Sequence, residues 1–112
     1  MAPVADVRRS IAFYEQLGFE LGNSVGEEGG PLQWAYIRAG GAHLMLTRAD
    51  SPVPPEQQTM MIYLYADDVV AYHRELEEKG LDVGPLVKRF YMELGEFELR
   101  DPDGYHLLVG HV

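Results

Sequence analysis

Apolar residues recur along this chain with two different periods. In two stretches the spacing is helical: Val7, Ile11, Tyr14 and Leu17 in the first, Val69, Tyr72 and Leu76 in the second. Steps of three and four put these residues on one helix face. Asp6 and Asp68 stand just ahead as N-caps, and Gly18 and Gly80 end the two helices. Elsewhere apolar and polar residues alternate, which predicts strands over Phe19 to Val25, Leu32 to Arg38, His43 to Thr47, Thr59 to Ala66, Asp82 to Val87, Leu94 to Arg100 and from His106 onward. Met1 to Ala5 reads as a short edge strand, because Pro3 cannot donate to a ladder. Gly26 to Pro31 is a turn, Lys88 to Tyr91 a loop, and Asp101-Pro102-Asp103-Gly104 a turn that Asp101 bonds back to stabilise.

The element order is β-α-β-β-β, twice. Gly41-Ala42-His43-Leu44-Met45-Leu46 matches Gly104-Tyr105-His106-Leu107-Leu108-Val109 at an offset of 63. Asp6-Val7 matches Asp68-Val69 at 62, and Gly18 matches Gly80 at that same offset. A register held from helix start to last strand marks an internal repeat. The halves are residues 1–47 and 59–112, joined by a linker over 48–58 that carries three prolines and no periodicity. Each half is an open sheet that cannot bury both faces alone. The fold class expected for residues 1–112 is α+β: two βαβββ repeats forming a curved mixed sheet around a cavity, helices on the convex side.

This pattern resembles the vicinal-oxygen-chelate superfamily, the glyoxalase/bleomycin-resistance/dioxygenase fold. The resemblance rests on Asp6 to Tyr14 with Leu17-Gly18-Phe19, on Asp68-Val69 with Lys79-Gly80, and on Arg100-Asp101-Pro102-Asp103-Gly104-Tyr105. It covers nearly the whole chain and is specific for the fold, not for the reaction. The resemblance implies a divalent metal held by one His or Glu from each of four strands in the superfamily's enzymes. Three of those slots fall here on Met45, Met61 and Leu108, and the fourth falls before Met1. Such residues cannot hold a hard or borderline cation, so no metal or other cofactor is expected.

Alternation assigns side chains to the two faces. Leu107 and Val109 go under the helices with Ile62, Leu64, Phe97 and Leu99. That leaves His106 and Leu108, Met61, Tyr63 and Tyr65, and Glu96, Glu98 and Arg100 on the cavity face. The repeat puts His43 and Met45 there too, beside Trp34, Tyr36 and Arg38. His43 and His106 are a rival metal pair, but each lies two residues, about 7 Å, from a ligand slot. They read instead as polar groups at a pocket mouth. Glu96 and Glu98 share a strand face, where acid/base work competes with the reading of two solvated carboxylates. His73 reads as helix surface and His111 as terminal, neither with a role.

Composition narrows the classes. A net charge of −9 disfavours nucleic acid, which needs clustered Lys and Arg, and is compatible with a cationic ligand. No apolar run is long enough for a membrane span, and no signal-peptide pattern is present, so a cytoplasmic protein is expected. There is no cysteine, no Ser-His-Asp pattern and no phosphate-cradling glycine loop, so no catalytic residue is assigned. The remaining signal is aromatic: Trp34, Tyr36, Tyr63, Tyr65, Phe90 and Tyr91 need a destination other than the aliphatic helix face. With Glu96 and Glu98 they suit a planar or cationic organic molecule. The expectation is a homodimeric, metal-independent binder resembling bleomycin-resistance proteins, hence antibiotic resistance. The alternatives are a metal-dependent lyase, isomerase or dioxygenase using His43, His106 and Glu96 or Glu98, and a partner-binding domain with a vestigial cavity.

Overall fold

The structure is a computed structural model that describes residues 1–26 and 29–111. The chain divides into two compact units, Met1–Gln57 and Gln58–Val112. Each unit is a βαβββ repeat with one helix laid on a four-stranded mixed sheet.

In the first unit, β1 (Ala2–Val4) is followed by α1 (Val7–Gln16), β2 (Glu20–Gly26), β3 (Leu32–Ala39) and β4 (Ala42–Arg48), then a short 3-10 turn over Pro55–Gln57. The strand order is β1-β4-β3-β2, with β1 parallel to β4 and the other pairs antiparallel. Pro3 therefore lies on an edge strand, as its missing N–H requires. The Asp6 side chain caps α1 by accepting from the Arg9 amide at 3.2 Å. Val7, Ile11 and Tyr14 turn inward onto Val4, Ala35, Ile37 and Leu46, all buried. The Phe19 and Tyr14 rings meet nearly at right angles, with centroids 5.5 Å apart.

The second unit repeats the plan with β5 (Met61–Ala66), α2 (Val69–Glu78), β6 (Val87–Arg89), β7 (Met92–Arg100) and β8 (His106–His111). The order is β5-β8-β7-β6, with β5 parallel to β8. Its core is Val69 and Leu76 from the helix against Phe97, Leu99, Leu107 and Val109. Asp68 caps α2 as Asp6 caps α1. Both helices end alike: Gly18 and Gly80 sit at φ +103° and +83°, and the residue after each bonds back to Tyr14 O or Leu76 O. This paired-bond C-cap needs a left-handed residue, which glycine supplies without a Cβ penalty. In the β7–β8 turn, Asp101 Oδ1 accepts from the amides of Asp103 and Tyr105, each at 2.9 Å.

One strand lies elsewhere than alternation predicts. Residues 82–86 form no ladder, and β6 runs through Val87–Arg89, from the last residue of the expected strand into the expected loop. Pro85 has no amide to offer, and the one backbone bond Gly84 makes to β7 runs from its N–H to Glu98 O at 2.7 Å. The ladder with β7 starts only at Val87, opposite Glu96. β7 correspondingly begins at Met92, ahead of the expected Leu94.

Candidate functional site

Register decides which side chains share a face. Across the second sheet the rows run Met61–His106–Arg100, Tyr63–Leu108–Glu98 and Tyr65–Gly110–Glu96–Val87. All of them point away from α2, because Leu107, Val109, Phe97 and Leu99 between them are the core. The first sheet has the equivalent rows Arg38–His43, Tyr36–Met45 and Trp34–Thr47. The face assignment from alternation therefore holds in both units.

The centre of the second face is a carboxylate. Glu96 is only 4% exposed, so its charge has to be met by protein groups. Three donors meet it: Tyr63 Oη at 2.9 Å on one oxygen, Tyr91 Oη at 2.9 Å and Arg89 Nε at 3.2 Å on the other. Burial alone would raise the Glu96 pKa. The three bonds and the Arg89 charge outweigh it and hold the carboxyl below its usual range. The donors shift the other way. Burial, then the bond and charge of Glu96, push the Tyr63 phenol up to about 12. The bond to Glu96, then burial, raise that of Tyr91. Tyr63 reaches Glu96 across β8 at Gly110, where a Cβ would lie 3.5 Å from the Tyr63 ring and 2.7 Å from Met92 Cε. A side chain there would collide with Met92, while the Tyr63 ring lies at ordinary contact distance.

Glu98, the other predicted carboxylate, accepts from His106 Nδ1 at 2.6 Å. The reading of two solvated carboxylates is thus corrected for Glu96, which is buried under three donors, whereas Glu98 is exposed and paired with His106. Held ionised, with both oxygens engaged, Glu96 has no proton to give near neutral pH. In the first unit His43 Nδ1 is bonded to Tyr36 Oη, and the two rings stack at 5.7 Å.

A cavity of about 450 Å³ opens along β7. Glu96, Glu98 and Leu108 line it, as do Arg89 and Arg100, with Asp82, Gly84 and Pro85 on another side. The remaining predicted ligand residues of this unit lie outside its lining. Met61, Tyr63 and Tyr65 are exposed on the same face, and Phe90 stands at the β6–β7 turn, 94% exposed. Trp34, Tyr36, His43 and Met45 belong to the first sheet's face.

Two residues carry more than sequence reasoning gave them. Arg89 fell inside an expected loop, so its strand geometry was not visible. His73, read as surface, is largely buried. Its Nε2 meets Gly84 O at 2.8 Å, its Nδ1 lies 3.2 Å from Glu77, and its ring meets Phe97 edge-on at 4.8 Å. It ties α2 to the segment that borders the cavity.

The chain matches the model of the Glyoxalase/Bleomycin resistance protein/Dioxygenase superfamily over residues 1–109. It belongs to that superfamily. Solved structures carry the same fold. A bleomycin-binding protein complexed with bleomycin is 22% identical, with TM-score 0.77 over 99% of this chain and 93% of that one. TioX from Micromonospora sp. ML1 is 19% identical, with TM-score 0.82 over 98% and 93%. TnmS3, an antibiotic binding protein from Streptomyces sp. CB03234, is 25% identical, with TM-score 0.72 over 98% and 89%. No curated protein matches the chain.

The resemblance implies metal slots at Met45, Met61 and Leu108, and these three side chains do not suit a divalent ion. Met45, Met61 and Leu108 offer two thioethers and a hydrocarbon, where Zn, Ni, Mn or Fe sites use imidazole and carboxylate. Among the described residues, no group of three or more His, Asp or Glu is placed to hold an ion. No helix among them is long and apolar enough to cross a membrane.

Proposed function

We propose that this superfamily member captures a small planar or cationic organic molecule by stoichiometric, metal-independent binding, in the manner of bleomycin-resistance proteins, and does so as a cytoplasmic homodimer. The observation that carries the reading is the composition of the two helix-free sheet faces. Each puts aromatic rings beside the positions that the resemblance implies as metal slots: Tyr36 is paired with Met45, and Tyr63 with Leu108. Rings of this kind stack on flat ligands and attract cations. The net charge of −9 adds long-range attraction for a base. The solved relatives that bind bleomycin or another antibiotic lend the same support. Each cation–π contact is worth only about 0.5–2 kcal/mol, and micromolar affinity needs about 8 kcal/mol, so burial of apolar surface has to supply most of the binding.

Trp34, the only tryptophan, sits on the first of these faces and reports on it. Addition of 9-(aminomethyl)anthracene is expected to change its emission and raise the melting temperature, since only a ligand of the folded state does the latter. Unchanged emission together with an unchanged melting temperature refutes binding.

A further inference from the structure

We infer that the ligand captured along β7 carries an acidic group beside its basic, planar part, and that Arg100 receives that acid. The inference rests on the binding reading above and names the ligand's charge pattern. It follows from accounting for each charge on the cavity wall. Glu96 is engaged by Tyr63, Tyr91 and Arg89. Glu98 is engaged by His106. Arg89 is drawn to Glu96, so its charge is largely met.

Arg100 is different. It lines the cavity and is exposed, and among the described residues it makes no side-chain hydrogen bond or ion pair. Register places it opposite His106, on the same face as Glu98. A guanidinium presents a planar fork of donors that fits a carboxylate with two parallel bonds. Asp82, also on the cavity wall, likewise has no side-chain partner among the described residues. The bond from Gly84 N–H to Glu98 O brings its segment alongside β7 near the Arg100 end. No ion pair joins Asp82 to Arg100. One wall thus carries an unmatched cation and an unmatched anion, the complement of an ampholyte.

Two probes that share one ring system separate the possibilities. 9-Anthrylalanine carries both ammonium and carboxylate, whereas 9-(aminomethyl)anthracene carries the ammonium alone. Binding to the full chain is read by anisotropy of the anthracene itself. The expected result is that anthrylalanine binds at least tenfold more tightly. Arg100→Gln should remove that advantage, a loss of roughly tenfold to a hundredfold for a bidentate charge-assisted contact, while affinity for the amine does not fall. Arg74→Gln on the exposed face of α2 removes the same charge away from the cavity and should preserve the advantage. Equal affinities for the two probes in wild type overturn the inference and leave the binding function standing. So does an advantage that survives in Arg100→Gln. If neither probe binds, the proposed function falls and this inference falls with it.

Discussion

Replacing Glu96 by glutamine removes a charge and keeps the shape. In the wild type three donors converge on the carboxylate, from β5, β6 and the turn before β7. Glutamine retains one oxygen. Turned toward Tyr91 and Arg89, that oxygen keeps two of the bonds. The amide nitrogen then faces the Tyr63 hydroxyl, which rotates to accept. No partner is left orphaned, so the loss is the charge assistance, about 1–2 kcal/mol. For a chain of this size each 1 kcal/mol moves the melting midpoint by about 4–8 °C. The pH dependence follows from the direction of the shift. The folded carboxyl titrates below its unfolded value of about 4.3. The stabilisation is therefore fully present above that value and is lost as pH falls through the folded pKa. Urea unfolding of both proteins should show a clear gap at pH 7 that closes toward pH 3. Equal stability at pH 7, or a gap that persists unchanged at pH 3, would refute the role given to this cluster.

Three further outcomes are expected. A spectrophotometric titration should show the Tyr63 phenol, held near 12, absent from the normal tyrosine step near pH 10, and Tyr63→Phe should remove it from the late step; because the folded pKa is raised, its stabilisation is complete below about pH 10 and disappears as pH rises through the folded value. Elemental analysis after exposure to Zn, Ni, Mn or Fe should find no stoichiometric metal, and one tightly held ion per chain would defeat the metal-independent reading. Sedimentation at micromolar concentration should give about two chains per particle, since two-fold pairing is the commonest way to cover exposed aromatic faces such as that bearing Tyr65; a clean monomer would count against it.

The parts of this molecule that were legible in the sequence are the local ones. Asp6 and Asp68 announce their helices because an N-cap is read within three residues, and Gly18 and Gly80 end them for an equally local reason. Alternation from Glu96 to Arg100 in β7 fixed the faces of that sheet, because a one-residue slip would have buried Glu98 and exposed Leu99. The segment before β6 was misread because Leu81, Val83 and Val87 imitate a strand, while Pro85 withholds the amide a ladder needs. The burial of Glu96 was out of reach for another reason. Tyr63 lies 33 residues away, on a strand separated from β7 by β8. His73 escaped notice because its partner, Gly84 O, is a backbone atom in the misread segment.

The parallel seams of the two units also bear on the order in which the molecule comes apart. Ala2 pairs with Leu46, and Met61 with His106, so both seams close chain loops of nearly equal length. Closure entropy depends on the logarithm of that length and is therefore nearly the same for both. The return is unequal: three register pairs join β1 to β4, and six join β5 to β8. Thermal fluctuation thus unzips the first seam far more often than the second. Brief exposure of the β4 edge, with Leu46 behind it, is therefore the more accessible partly open state of the two seams, and a place where a protease or a stray strand from another molecule gains entry.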